Sequence, residues 1–197
     1  MRRCVFLAVA IVAVGVPCLA IASMWKIDPA HTSAQFAVRH LMVSTVRGSL
    51  GKVTGVVNID ETDLSKSSVE ASIDLNGIDT REPKRDGHLK SPDFFDVAKY
   101  PEITFKSKKV AKVNDTKFQV TGDLTMHGVT KEVVLDVEGS PKPFTDPMGN
   151  RKLGGVASTK LNRQDFGVQW NKTLDGGGMV VSDNVDVTID IELVGEK

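Results

Sequence analysis

The segment from Val185 to Val194 alternates between apolar and polar residues at almost every position. Valine, isoleucine and leucine occupy every second position, and aspartate, threonine and glutamate lie between them. Successive side chains of a β-strand point to opposite faces, so this period predicts a strand with one dry face and one solvated face. The same period returns at Phe36–Met42, Val69–Leu75 and Phe118–Met126. A chain with this pattern is expected to form a twisted antiparallel sheet whose apolar face is buried.

The start of the chain has the pattern of a secretory signal peptide. Two arginines precede an uninterrupted apolar stretch from Cys4 to Val16, and Ala20 and Ala22 supply the small residues of a cleavage site. The stretch is too short to span a membrane. We therefore expect residues 1–22 to be a signal peptide, residues 23–197 to form one domain, and the protein to be periplasmic or secreted.

Both cysteines, Cys4 and Cys18, lie in the segment that is predicted to be removed. The proline before Cys18 argues against a lipoprotein signal at that position. The mature domain is then expected to contain no thiol, which excludes disulfide bonds, cysteine catalysis and cysteine metal sites. A chain of roughly 175 residues is long enough to fold around one apolar core without disulfides.

The charges of the chain are balanced, with 25 basic and 25 acidic residues. Removal of Arg2 and Arg3 leaves 23 against 25, a net charge of −2. The densest basic cluster, formed by Lys106, Lys108 and Lys109, falls on an amphipathic strand and is expected to be a solvated face. A nucleic-acid partner is not expected, because it would require a clustered basic surface.

The periodic segments define eight strand candidates that are joined mostly by short turns. Asn114-Asp115 and His127-Gly128 are turn dipeptides typical of hairpins between sequence neighbours. Two longer connections, Ile78–Glu102 and Asn162–Val181, interrupt the series, and the first is predicted to be helical or irregular. The strand candidates are Thr32–Leu41, Thr45–Asp60, Ser67–Leu75, Ile103–Ala111, Lys117–Met126, Val129–Gly139, Lys152–Leu161 and Ser182–Leu193.

These strands predict an all-β fold, and eight is the number at which an antiparallel sheet closes into a small barrel. The interior of such a barrel is just wide enough for side chains or for one slender ligand. Closure also removes the exposed edges of the sheet. A two-sheet sandwich would show the same alternation around a filled core, so periodicity alone does not separate the two architectures.

The residues offer no recognisable catalytic or metal-binding constellation. His31, His40, His88 and His127 lack the paired spacing of a metal-binding helix, so no metal site is predicted. Asp165-Phe166-Gly167 matches a kinase triplet, but the chain has neither a catalytic-loop motif nor a glycine-rich phosphate loop. We therefore expect a protein that is not an enzyme and that needs no cofactor.

His40 is the most informative of the histidines, because the two-residue period places it on the same face as Phe36 and Val38. A polar ring on an apolar face needs a hydrogen-bond partner. Two interpretations remain open: His40 is a satisfied core histidine, or it contacts the polar end of a ligand.

The segment Thr80–Phe105 combines charged, aromatic and proline residues in an order that no simple fold rule demands. Together with Trp25–Pro29, His31–Leu41, Gly122–Val129 and the stretch from Asp146 to Trp170, it resembles the YceI-like family. Members of that family are exported proteins that are similar to extended lipocalins. The resemblance covers essentially the entire mature chain.

The resemblance implies an eight-stranded antiparallel up-and-down barrel, extended and lipocalin-like, with a helical connection between the third and fourth strands. It therefore favours the barrel over the sandwich. It also implies an elongated lumen that holds a polyisoprenoid or similar lipid, and often a dimer. Within that picture Arg85, Asp86 and His88 are expected to pin the helical connection through a buried ion-pair and hydrogen-bond network, with a ligand role as the second interpretation. The aromatic residues expected at packing or mouth positions are Phe94, Phe95, Tyr100, Phe166 and Trp170.

The function expected from these observations is non-catalytic binding, transport or storage of an isoprenoid-type lipid, such as a quinone, a quinone precursor or a polyprenyl phosphate. Its partner is an isoprenoid or other long-chain amphiphile, with transient membrane contact and a homodimer also expected. Two other classes stay open: an enzyme that acts on a small amphiphile, with His40 and a carboxylate as acid and base, and a structural barrel that acts through protein contacts.

Candidate ligand-binding residues come from the alternating apolar sets, together with His40 and Trp170. They are Phe36, Val38, His40, Ile73, Leu75, Ile103, Phe105, Phe118, Val120, Leu124, Met126, Trp170, Val187, Ile189 and Ile191.

Overall fold

The computed structural model describes residues 22–140 and 142–196, so the predicted signal peptide, apart from Ala22, lies outside the described residues. The described chain is mostly β-structure, with one α-helix and three short 3-10 helices. The strands are β1 (Ala22–Ile27), β2 (Ser33–His40), β3 (Ser44–Gly51), β4 (Val53–Asp60), β5 (Ser68–Asp74), β6 (Glu102–Lys112), β7 (Lys117–Met126), β8 (Val129–Gly139), β9 (Phe144–Thr145), β10 (Arg151–Asn162) and β11 (Val181–Gly195). The helix α1 is Pro83–Lys90, and the 3-10 helices are Leu64–Lys66, Leu75–Gly77 and Arg163–Phe166.

β1 and β2 together form one long, interrupted strand of the sheet, and β3 and β4 form a second one. β1 and β2 pair one after the other with the same side of β11, with Trp25 opposite Gly195 and Val38 opposite Val185. β3 and β4 follow each other in the same way and pair with β2 and β1. The predicted single strand Thr45–Asp60 therefore exists as a strand that bends at Gly51.

The bend requires glycine at Gly51. Its φ is +128°, and a Cβ at this position would collide with the carbonyl oxygen of Asp74. Glycine is the residue that tolerates both this backbone conformation and this close approach. The bend lets β3 pair with β2 while β4 turns toward β1 and β5.

Counted with these composite strands, eight antiparallel strands form a ring within the described part of the chain. The ring closes where β10 pairs with β11 along Lys152–Asn162, and the two-residue strand β9 pairs only with the start of β10. The predicted eight-stranded antiparallel up-and-down barrel is therefore confirmed.

β1 is an addition to the predicted strands. Trp25 and Ile27 show one apolar period, but Asp28-Pro29 ends the pattern too early for periodicity alone to identify a strand. The strand forms because β4 and β11 flank it on both sides. The composite strand resumes as β2 after the loop at residues 28–32.

The helix α1 lies in the connection between β5 and β6, which are the third and fourth strands of the prediction. Glu82 caps its start by accepting a hydrogen bond from the backbone N–H of Lys84, and Pro83 occupies its first turn. The chain leaves the helix at Ser91, whose N–H donates to the carbonyl of His88. The predicted helical connection is confirmed. Nowhere in residues 22–140 and 142–196 does a helix have the length and apolar character needed to cross a bilayer.

The outward face of the sheet carries the predicted solvated cluster. Lys106 lies 2.7 Å from Glu70, and Lys108 lies 2.5 Å from Asp123 and 3.3 Å from Glu132. These lysines are exposed and paired with carboxylates of neighbouring strands, so they do not form a basic surface. The apolar side chains of the same strands point inward and form one continuous core.

Candidate functional site

The interior of the barrel contains a cavity of about 470 Å³. This volume lies within the range of small-molecule sites in proteins. Inward-facing side chains from the barrel strands, together with residues of α1 and of the 163–181 segment, line it. The lining is overwhelmingly aliphatic and aromatic, so the cavity is suited to an apolar ligand.

Fourteen of the fifteen predicted ligand-binding residues line this cavity. They are Phe36, Val38, His40, Ile73, Ile103, Phe105, Phe118, Val120, Leu124, Met126, Trp170, Val187, Ile189 and Ile191. Their position in the lining is a geometric finding, and their contact with a ligand stays a prediction.

Leu75 is the exception, and the prediction that it faces the lumen is wrong. β5 ends at Asp74, and the chain turns into the 3-10 helix Leu75–Gly77, capped by the Asp74 side chain. The two-residue period is therefore lost one residue before Leu75. Its side chain is fully buried in the core beside the connection and does not line the cavity.

The prediction also missed part of the apolar lining. Leu135 and Val137 of β8, and Leu153 and Ala157 of β10, line the cavity. Their signal is the same alternation, because Val133, Leu135 and Val137 occupy every second position. Applying the two-residue period to every strand would have identified them.

The ionisable residues of the lining are gathered at one end. Within the described residues they are His40, Arg85, His88 and Arg163. We define the α1 end of the barrel as α1, the turn between β2 and β3, and the 163–181 segment. These parts meet, since the Leu41 N–H donates to the Val180 carbonyl at 2.8 Å and the ring centroids of His88 and Trp170 are 5.0 Å apart.

Thr80 accepts or donates four hydrogen bonds that hold the helical connection in place. The Asp86 carboxylate accepts hydrogen bonds from the Thr80 N–H at 2.8 Å and from the Thr80 hydroxyl at 2.5 Å. Arg85 Nε donates to the same hydroxyl at 2.8 Å, and one Nη donates to the Thr80 carbonyl at 3.1 Å. A hydrogen-bond network therefore pins the connection, as predicted.

Two details of that prediction need correction. Arg85 and Asp86 do not pair with each other, because both reach back to Thr80, and they are half-buried rather than buried. His88 belongs to a different group, with its Nε2 atom 2.8 Å from an Asp93 carboxylate oxygen. Arg85 and Asp86 are therefore joined through one buried threonine rather than to each other.

His88 forms an aromatic group with two rings at the cavity wall. Its ring meets Phe94 and Trp170 edge-on at 5.0 Å, and Phe94 and Trp170 lie 5.2 Å apart. Such contacts stabilise rings in fixed orientations. Phe94 is buried, whereas Trp170 is only half-buried, which agrees with the expected packing and mouth positions.

Arg163 holds the 163–181 segment against β11. It is buried, with 5% of its surface exposed, and its guanidinium donates to the carbonyls of Ser182, Val168 and Val181. Burial lowers the pKa of Arg163, and the neighbouring Asp183 opposes this effect. Sequence reasoning missed Arg163, because no local pattern distinguishes it from a surface arginine.

The structure leaves both interpretations of His40 open. The residue is half-buried at the end of β2, and it lines the cavity at the α1 end. Its contact with the polar end of a ligand stays a prediction.

One cluster with metal-ligand chemistry lies outside the cavity. Among the described residues, Asp28, His31 and Glu192 place ligand atoms within 4.8 Å of one another. Lys152 Nζ lies 3.2 Å from Asp28 and 2.6 Å from Glu192, so an ammonium group already balances the carboxylates. The hydrogen bond with His31 holds the pKa of Asp28 at about 2, and Asp28 in turn raises the pKa of His31. This group is an ion-pair network that joins the loop at residues 28–32 to β10 and β11.

A closed eight-stranded antiparallel barrel around an apolar cavity defines a lipocalin-like class of protein. The chain matches the YceI-like domain over residues 25–193, and it belongs to that family.

Three known proteins are similar to this chain in sequence or in fold. The chain is 37% identical over 170 residues to a UPF0312 protein of Vibrio parahaemolyticus, covering 85% of this chain and 89% of that protein. The crystal structure of the Campylobacter jejuni YceI protein superimposes with a TM-score of 0.68 at 31% identity, covering 81% of this chain and 90% of that chain. A polyisoprenoid-binding domain from Saccharophagus degradans shares the fold, with a TM-score of 0.63 at 15% identity, covering 87% of this chain and 98% of that chain.

Proposed function

We propose that this protein binds an isoprenoid-type lipid and carries or stores it without changing it chemically. The hydrocarbon tail lies in the barrel and the polar head lies at the α1 end. The observation that carries this proposal is the distribution of the lining, which is apolar along the barrel and ionisable only at the α1 end within the described residues. Membership of the YceI-like family and the polyisoprenoid-binding domain of similar fold support the same ligand class.

The tail supplies most of the binding free energy. Removing one CH₂ group from water contributes about 0.8 kcal/mol, so ten such groups contribute about 8 kcal/mol. Association opposes binding by about 4–15 kcal/mol. Short tails therefore bind poorly, and affinity rises with tail length until the cavity is full.

The head group is held by Arg85, with His88 and His40 nearby. Arg85 places two of its nitrogens on Thr80, and a guanidinium has five N–H donors in all. Donors therefore remain for a phosphate or a carbonyl oxygen of the ligand. A charge-assisted hydrogen bond of this kind contributes about 1.5–3 kcal/mol, which is less than the tail contributes.

The experiment that tests the proposal is extraction of the purified protein with organic solvent, followed by mass spectrometry of the released lipid. We expect an isoprenoid in near-stoichiometric amount. Titration with isoprenoid alcohols of increasing length should then give affinities that rise with length. Incubation with the bound species should leave its mass unchanged.

Three outcomes contradict the proposal. If affinity did not change with the length of the isoprenoid alcohol, the tail would not supply the binding free energy. A change in the mass of the added isoprenoid would identify an enzyme instead of a carrier. Protein that neither retains nor takes up lipid would leave a structural barrel that acts through protein contacts.

A further inference from the structure

The hairpin of β2 and β3 ends in an exposed group of large apolar side chains. Leu41, Met42 and Val43 form its turn, with Met42 63% exposed and Val43 77% exposed. Met179 is also exposed and adjoins them, because the Leu41 N–H donates to the carbonyl of the neighbouring Val180. We name these four residues, Leu41, Met42, Val43 and Met179, the apolar tip.

The backbone of the turn makes these residues unexpected. Leu41 and Met42 have φ values of 51° and 61°, and the Val43 N–H donates to the His40 carbonyl at 3.1 Å. These values match a type I′ β-turn over His40–Val43, inside the three-residue loop between His40 and its partner Ser44. A type I′ turn favours Asn-Gly because both central residues are left-handed. A large L-residue is strained there. The chain therefore carries exposed leucine and methionine where asparagine and glycine would be more stable, which points to a role outside the fold.

The hairpin that carries most of the apolar tip is positively charged, and the 163–181 segment that carries Met179 is balanced, with Arg163 and Lys172 against Asp165 and Asp175. The hairpin Ser33–Gly51 contains Arg39 and Arg47 but neither aspartate nor glutamate, in a chain whose charges are otherwise balanced. Arg39 is fixed directly beside the tip, since its Nη2 donates to the Met42 carbonyl at 2.9 Å and its Nη1 donates to Thr45 at 3.2 Å. Apolar side chains flanked by arginine match the interface of a bilayer that contains anionic lipid.

The apolar tip is continuous with the ionisable end of the cavity. His40 comes directly before the turn and lines the cavity, as do Val180 and Val181, which follow Met179. Insertion of the tip into a membrane surface would therefore bring the α1 end of the barrel to the level of the lipid head groups.

We propose that the apolar tip inserts into the surface of a bilayer containing anionic phospholipid and orients the α1 end toward that membrane. The docking surface consists of the hairpin turn and Met179, and it does not depend on what the cavity binds. Its consequence, the passage of lipid between membrane and cavity, rests on the proposed function.

Vesicle sedimentation tests the docking surface. The wild-type protein should bind vesicles of mixed phosphatidylglycerol and phosphatidylcholine at least tenfold more tightly than vesicles of phosphatidylcholine, with binding that weakens as salt rises. The double variant Leu41→Asn, Met42→Gly removes two side chains of the tip and supplies the preferred type I′ turn. It should melt at the same or a higher temperature while its vesicle affinity falls at least tenfold.

The matched control is Phe144→Ser, Met148→Ser. These side chains are 61% and 81% exposed but lie on the connection between β8 and β10, away from the tip. The control should keep wild-type vesicle binding. Equal binding by wild type and tip variant, or a loss confined to the control, would overturn the proposal. A tip variant that changes from dimer to monomer in light scattering, with vesicle binding intact, would show a protein interface and also overturn it.

The lipid content of each protein separates this proposal from the proposed function. A tip variant that loses vesicle binding but retains lipid after reconstitution supports both. A wild-type protein that binds vesicles through the tip yet holds no isoprenoid upholds the docking surface and refutes the proposed function. A wild-type protein that retains lipid but does not bind vesicles upholds the proposed function and refutes the docking surface.

Discussion

The two tryptophans of the chain lie in opposite surroundings, and the difference separates what stabilises the barrel from what serves a ligand. Trp25 is 1% exposed, its indole N–H donates to the Ser23 hydroxyl, and Arg151 lies 5.1 Å above its ring. It belongs to the apolar core near the end opposite α1, where it packs beside Gly195 and Arg151. Trp170 is half-buried and lines the cavity at the α1 end. One tryptophan is thus packed into the core away from solvent, whereas the other lies with ionisable groups at the wall of the cavity.

The largest expected effect is a loss of stability on removal of the buried ring of Trp25. Trp25→Ala should lower the free energy of unfolding by about 3–5 kcal/mol, because a fully buried ring leaves an unfilled space. Trp170→Ala should cost less than half as much, because water already reaches that ring. Urea denaturation of both variants measures the difference. Equal losses would show that the two ends do not differ in packing.

The next prediction concerns the space between the two ends. Val120→Trp places a ring in the cavity, and the affinity for a long isoprenoid alcohol should fall by about 100-fold, equivalent to about 2.7 kcal/mol. Gln119→Trp is the matched control, because Gln119 is exposed on the outer face of the same strand. Binding titrations and thermal melts compare the two. Unchanged affinity in folded Val120→Trp would remove Val120 from the ligand site.

A smaller and more selective effect is expected at the α1 end. Arg85→Ala should weaken the binding of a polyprenyl phosphate about tenfold, the equivalent of one charge-assisted hydrogen bond. It should leave the binding of the matching alcohol nearly unchanged. Lys84→Ala, an exposed neighbour on α1, serves as the control. Equal weakening for alcohol and phosphate would mean that Arg85 acts only by holding Thr80.

The smallest effect is expected in the ion-pair network of Asp28, His31, Lys152 and Glu192. Changes there should alter the stability of the protein but not its affinity for lipid. His31 has a raised pKa in the folded protein, so its stabilising contribution is fully present below pH 6.5 and is lost as the pH rises through the folded pKa. Asp28 has a lowered pKa of about 2, so its contribution is present above 3.8 and is lost as the pH falls toward 2.

His31→Ala should therefore lower the Tm by a few degrees at most near pH 5.5 and by almost nothing at pH 9, because exposed ion pairs contribute little. Thermal melts of wild type and variant at both pH values measure this. An equal difference at the two pH values would show that the imidazole acts through packing. Lipid affinity should be the same in both proteins.

The side-chain directions in the strands could be predicted from sequence, because a strand alternates its faces wherever it lies in the fold. Val187, Ile189 and Ile191 were placed correctly in the lining for this reason. Leu75 was misplaced because the strand ends at Asp74, and a capped turn replaces the two-residue period there. The boundary depends on the Asp74 side chain rather than on the pattern.

The α1 end could be predicted only in part. The family resemblance indicated that Arg85, Asp86 and His88 lie in a helical connection, but it did not identify Thr80 as the residue that both Arg85 and Asp86 contact. The contact between His88 and Trp170 joins residues far apart in sequence and depends on how two irregular segments meet. Irregular segments have no period, so their contacts depend on tertiary structure rather than on local sequence.

The position of β11 in the ring has a consequence for how the barrel forms. β11 closes the ring, because it pairs with β10 on one side and with β1 and β2 on the other. The Thr32 hydroxyl donates to the Glu192 carbonyl, a contact between residues 160 positions apart in the chain. Contacts between such distant residues form slowly, because a long loop must close before they contribute. Until the last strand arrives, β2 and β10 are open edges that can pair with other chains. A polypeptide shortened before Val181 should therefore aggregate rather than fold into a smaller barrel.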